Sequence, residues 1–71
     1  MYKNLREVRY VNGDLSQKEV AAKLGISEGA YSYIENGQRT GSINTWKKIQ
    51  EVFNLTDEET FQLQKNNKKE Q

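Results

Sequence analysis

A break of only three residues, Gly25-Ile26-Ser27, separates two runs of helical hydrophobic spacing and constrains this chain more than any other feature. Before it, Val20, Ala21 and Leu24 fall at one- to three-residue steps that share a helix face; after it, Tyr31 and Ile34 do the same. So short a connection forces the two helices to cross steeply at close range. The small side chain of Ala21 suits the point of approach, and Gly25 takes the left-handed conformation that turns the chain without a Cβ penalty. Ile26 is expected to drop into the core and pin the turn. Ser16 and Ser27 stand where N-caps are needed, and Glu19, three residues after Ser16, completes a capping box.

The same logic places helices on either side of this pair. A first helix is expected over about 4–12, with Leu5, Val8 and Val11 facing inward and Gly13 just past its end. After a loop from Gln38 to Gly41, Ser42 caps a fourth helix in which Ile43, Trp46, Ile49, Val52 and Phe53 recur at helical spacing. Thr56 caps a fifth, with Glu59 as its box partner and Asp57, Glu58 and Glu59 at the positive end of the helix dipole. Phe61 and Leu63 are the only large apolar groups in that last helix. There is no sustained alternation and no proline, so the expectation is an all-α, compact five-helix domain over 1–64 with a polar flexible tail over 65–71.

Composition narrows the function. At 71 residues the chain is one domain, and a domain of this length buries only about 60% of its unfolded surface. Without cysteine it has neither disulfide nor thiolate-bound zinc to supplement the core. Without histidine as well, it lacks the usual neutral-pH general base. A shielded pocket holding a perturbed carboxylate or lysine needs more scaffold than this, so the chain reads as a binding module, not an enzyme. No cofactor, metal or small-molecule ligand is expected. No apolar run follows Met1-Tyr2-Lys3-Asn4, so no signal peptide, membrane span or membrane partner is expected, and the cytoplasm is the expected compartment. The net charge of +1 counts mildly against nucleic acid, for which a larger basic excess is usual.

Taken in order, Leu15-Ser16-Gln17, Val20-Ala21, Leu24-Gly25-Ile26-Ser27, Tyr31-Ser32 and Ile34-Glu35-Asn36-Gly37 form a series that continues through Arg39, Ser42, Trp46, Ile49, Phe53 and Leu55. With these residues the sequence resembles the lambda-repressor-like, or Xre/Cro-type, helix-turn-helix domains over most of its length. The resemblance implies a double-stranded operator DNA partner, with the third helix in the major groove and the second across the phosphates. Carried over by position, it makes Glu28, Gly29, Ser32 and Tyr33 base-contact candidates. Gln17, Asn36, Arg39, Thr40, Asn44 and Lys47 become phosphate-contact candidates. It further implies an arginine of the first helix paired with a glutamate of the third, here Arg9 and Glu35, as a structural ion pair. Small relatives associate through the fifth helix, which makes Phe61 and Leu63 dimer-face candidates.

The sequence departs from the family pattern in instructive places. The link Asn12-Gly13-Asp14-Leu15 is one residue longer, leaving the Arg9–Glu35 register open, and Gln50 stands where a small apolar residue is preferred. The outward face of the third helix carries neither Arg nor Lys, so the commonest specific contact, arginine to guanine, is missing there. Two functions therefore stay open. One is a small repressor of phage or mobile-element type, without a sensing domain, that acts as a homodimer on a palindromic operator. The other is an antirepressor that uses the same fold to capture a larger repressor protein. On the plainer reading Tyr31 is core, Arg39 is simply solvated, and Lys65, Lys68 and Lys69 form a solubilising tail.

Overall fold

The computed structural model describes residues 2–67 and shows five helices in one globule. They are α1 (Leu5–Val11), α2 (Gln17–Leu24), α3 (Glu28–Glu35), α4 (Ile43–Phe53) and α5 (Asp57–Asn67). The all-α class and the five-helix order read from the sequence are what the chain adopts. Among the described residues no helix is long and apolar enough to cross a membrane. Lys68 and Lys69, assigned above to a tail, lie outside the described residues. α5 itself continues helical to Asn67, past the expected boundary after residue 64.

Local chemistry sets the helix ends. Asn4, Ser16, Ser27 and Ser42 cap α1 to α4, each accepting a hydrogen bond from a backbone N–H in the first turn. At α2 the box is reciprocal: Glu19 N–H donates to Ser16 Oγ at 3.0 Å and Ser16 N–H to Glu19 Oε1 at 2.9 Å. That backbone hydrogen bond from Ser16 holds the Glu19 carboxyl below its usual range. Thr56 and Glu59 repeat the box at α5.

Gly25 ends α2 at φ +74°, with its N–H on Ala22 O at 3.2 Å and the Ile26 N–H on Ala21 O at 3.0 Å. This Schellman closure turns the chain directly into α3, and half-buried Ile26 packs against the core beside it. α2 packs chiefly on α3 and also on α4, while α5 rests on α4.

The core is Leu5, Val8, Val20, Ala21, Leu24, Tyr31, Ile34, Trp46, Ile49, Phe53, Leu55 and Leu63. Two sequence expectations, Val11 facing inward and Leu63 on a dimer face, are corrected here, and the first member of the α4 apolar series proves exposed. Val11 is 61% exposed, because each three-residue step falls about 60° short of a full turn and the series from Leu5 drifts off the inner face. Ile43 is 73% exposed: as the first residue of α4 its side chain leans toward the helix N-terminus, past the edge of the core. Leu63 is fully buried, so it belongs to the core of the chain and not to a dimer face. Its neighbour at i−3, Thr60, is buried too and returns its hydroxyl to Thr56 O at 2.9 Å.

Gln50 finds a use for its amide that a small apolar residue would not offer. Its Nε2 donates to Leu55 O at 3.2 Å and Asp57 Oδ1 at 2.7 Å, tying the end of α4 to the start of α5. Between them Asn54 sits in the left-handed region at φ +54°, a conformation asparagine tolerates better than most side chains.

Candidate nucleic-acid interface

The interface is built around α3, whose eight residues divide cleanly into two faces. Tyr31 and Ile34 are buried, whereas Glu28, Gly29 and Tyr33 are exposed and Ser32 is half-buried. The base-contact candidates thus occupy the helix face turned away from the core. A Cβ added at Gly29 would meet nothing within 4 Å, so within this chain the position has no steric need for glycine.

Besides the core packing of Tyr31 and Ile34, an ion pair fastens α3 at its C-terminal end. Arg9 Nε and Nη2 donate to the two oxygens of Glu35 at 2.9 and 2.7 Å, a bidentate arrangement with side-chain exposures of 15% and 6%. Burial pushes the Glu35 carboxyl up, but the hydrogen bonds and charge of Arg9, together with the polar Tyr31 and Gln17 side chains beside it, outweigh burial and hold the group below its ordinary range. The Tyr31 hydroxyl is buried without a hydrogen bond of ordinary geometry, and burial together with the nearby Glu35 charge drives its pKa far upward. The longer α1–α2 link does not displace this pair, because Arg9 anchors the link as well. Its Nη1 donates to Leu15 O at 2.7 Å while its carbonyl accepts from the Leu15 N–H at 3.1 Å.

Around this pair the structure gathers residues from three helices. One open recess is lined by Asn4, Arg6, Arg9, Gln17, Glu35 and Asn36, which brings the phosphate-contact candidates Gln17 and Asn36 together at the junction of α2 and α3. Arg6 in this group was not singled out from the sequence. Its signal was its spacing: three residues before Arg9, it shares a helix face with it.

Arg39 lies in the loop after α3, and its guanidinium carbon stands over the Tyr33 ring, 5.1 Å from the centroid. The loop is fastened there by its backbone, since the N–H groups of Gln38 and Arg39 both donate to Tyr33 O, at 2.9 and 3.1 Å. A cation absent from α3 itself is therefore held beside it. Thr40 is exposed at the side chain, and its carbonyl accepts from Trp46 Nε1.

Asn44 and Lys47 are exposed on α4, but Lys47 lines a different recess, with Ile43, Trp46, Gln50, Asp57, Thr60, Phe61 and Gln64. There Phe61, 60% exposed, is joined by Ile43, 73% exposed.

A two-helix unit with a three-residue turn, an uncovered second helix and polar groups at the flanking helix ends defines the DNA-binding helix-turn-helix class of transcriptional regulators. The family model described as helix-turn-helix matches residues 5–60, and the chain belongs to that family, in its Xre-like form. It is similar to control protein C.MunI of Mycoplasma sp, with 37% identity over 57 residues that cover 80% of this chain and 77% of that protein. No solved structure gives a significant match. Both findings point to a regulator and not to an enzyme.

Proposed function

We propose that this chain is a sequence-specific, double-stranded DNA-binding regulator of the small Cro/repressor kind found on phages and mobile elements. It inserts α3 in the major groove and acts as a homodimer on a palindromic operator. The observation that carries the reading is the uncovered outer face of α3, where Glu28, Gly29 and Tyr33 are exposed, with Gln17 and Asn36 together in one recess and the Arg39 guanidinium over the Tyr33 ring. The relative's designation as a control protein supports a regulatory role.

In this arrangement Glu28 accepts from a cytosine amino group and Tyr33 packs on a thymine methyl or donates from its hydroxyl. Ser32 donates or accepts, and Gly29 lets the helix backbone approach the base edges. Gln17, with the free N–H groups of the first turn of α2, meets one phosphate, and Asn36 adds its amide beside it. Arg39, Thr40, Asn44 and Lys47 engage the backbone further along. Glu28 repels phosphates, so one domain binds modestly and a second copy supplies the remaining affinity. The dimer face we assign is Phe61 with Ile43, two exposed apolar side chains that line the same recess at the α4–α5 edge of a very small domain.

In vitro selection from a random duplex pool tests the reading, followed by gel shift of the recovered sites. A palindromic consensus is the expected product. Arg39→Ala is expected to weaken every sequence alike, and Tyr33→Ala to relax preference at one position of each half-site. Recovery of no consensus, with stable capture of another regulator instead, would overturn it in favour of the protein-binding alternative.

A further inference from the structure

We propose that Arg6 is a phosphate-binding residue, the charged member of a three-helix clamp formed with Gln17 and Asn36. The inference rests on the DNA-binding reading above and extends it to α1, whose contribution is otherwise only to position Glu35.

Arg6 and Arg9 stand three residues apart on α1 and line the same recess with Gln17, Glu35 and Asn36. Arg9 is drawn inward and its charge is matched by Glu35 at 2.7 Å. Arg6 is exposed, and within the recess its charge is the one left over once that pair is counted. Gln17 and Asn36 offer only neutral donors. A nonbridging phosphate oxygen entering the recess meets neutral amides, of which the Asn36 Nδ2 also reaches Ser32 Oγ at 3.4 Å, and one unmatched guanidinium, whose charge-assisted hydrogen bond exceeds a neutral one about twofold.

The site also has a limit. The adjoining recess, which shares Asn4, Arg6 and Arg9, is lined as well by Glu7 and Asp14. Those carboxylates disfavour an anion there, so the strand is held on the Gln17–Asn36 side of Arg6 and runs no further toward Tyr10. The basic group that α3 lacks is thereby supplied in part from the first helix, which reconciles a near-neutral chain with a polyanionic partner.

The test compares wild type with Arg6→Gln, Arg6→Lys and, as a control, Lys23→Gln, an exposed cation lining a separate recess with Asn12, Leu15, Val52 and Phe53. Each is titrated over a salt series with the duplex recovered by selection and with a scrambled duplex of equal length. Arg6→Gln is expected to lower affinity for both duplexes by about tenfold and to reduce the slope of log affinity against log salt by about 0.9 for each copy bound. Arg6→Lys retains most of the slope, and Lys23→Gln leaves it unchanged. Circular dichroism melting of each variant reports the fold separately. A wild-type slope in Arg6→Gln, or a loss confined to the selected duplex, overturns the assignment while leaving the regulator reading intact. Wild type without salt-dependent binding to either duplex overturns both.

Discussion

Replacing Arg9 by methionine removes the one side chain that ties α1, the α1–α2 link and the end of α3 together. In the wild type it makes two hydrogen bonds to Glu35 and one to Leu15 O, all between 2.7 and 2.9 Å. Without it a carboxylate only 6% exposed has lost its counter-charge, and the Leu15 carbonyl has lost its side-chain donor. Breaking a buried pair by removing one partner costs about 3–5 kcal/mol, and the partial exposure of Arg9 places this case near about 3. For a domain of this size that corresponds to a drop in Tm of about 12–24 °C.

The pH dependence carries the sharper signature. In the wild type Arg9 holds the folded-state pKa of Glu35 below its unfolded value. The resulting stability is complete above the unfolded pKa and is lost as pH falls through the depressed one. In Arg9→Met the lowering influence of the guanidinium is gone while burial, the largest single influence, remains, so the pKa moves upward against the weaker pull of the Tyr31 and Gln17 side chains. Less of the stabilisation of the ionised Glu35 then survives at neutral pH in the variant than in the wild type. The Tm difference between the two proteins should therefore be large at neutral pH and shrink as the pH falls through the carboxylate range and Glu35 is protonated in both. Thermal melts followed by circular dichroism measure both curves. A deficit below about 1 kcal/mol, or one that stays constant with pH, would refute the account of the pair as a buried, mutually stabilising unit.

Three further outcomes follow from the same geometry. Gly29→Ala should raise stability by up to about 1 kcal/mol in a urea melt, since a Cβ there meets open space, yet weaken operator binding if the backbone must approach the bases; equal or tighter binding sinks that role. Leu63→Ala should cost about 2–5 kcal/mol, whereas Phe61→Ala should leave the monomer within about 0.5 kcal/mol and instead shift the sedimentation equilibrium toward monomer; an unchanged equilibrium removes Phe61 from the dimer face. Gly41→Ala should destabilise by about 1–3 kcal/mol, because φ is +79° and the new Cβ would lie 3.1 Å from Trp46 Nε1; a neutral result in a chemical melt would mean the loop relocates freely.

The dimer face shows where sequence reasoning went astray and why. Phe61 and Leu63 were paired because both are large and apolar in a polar helix. Residues two apart on a helix project about 200° from one another, so they cannot share a face. That signal was present in the sequence, and following it leads to Thr60 and Leu63 inside and Phe61 outside. Ile43 is different. Its three-residue step to Trp46 is a legitimate core spacing, and only the position of α5 shows that the core ends one turn later. Arg6 belongs with Ile43: its spacing from Arg9 was visible, but its company with Gln17 and Asn36 was not.

The chain's own order of residues determined the helices, their caps, the left-handed turn at Gly25 and the inward face of α3, because these depend on hydrogen bonds and side-chain periodicity within a few residues. Tertiary structure alone decided that Arg9 meets Glu35 across 26 positions despite a longer link, that Arg39 settles on Tyr33, and that Ile43 joins Phe61 in one recess. Such pairings are set by how whole helices cross and where the core runs out, and no local pattern carries that distance.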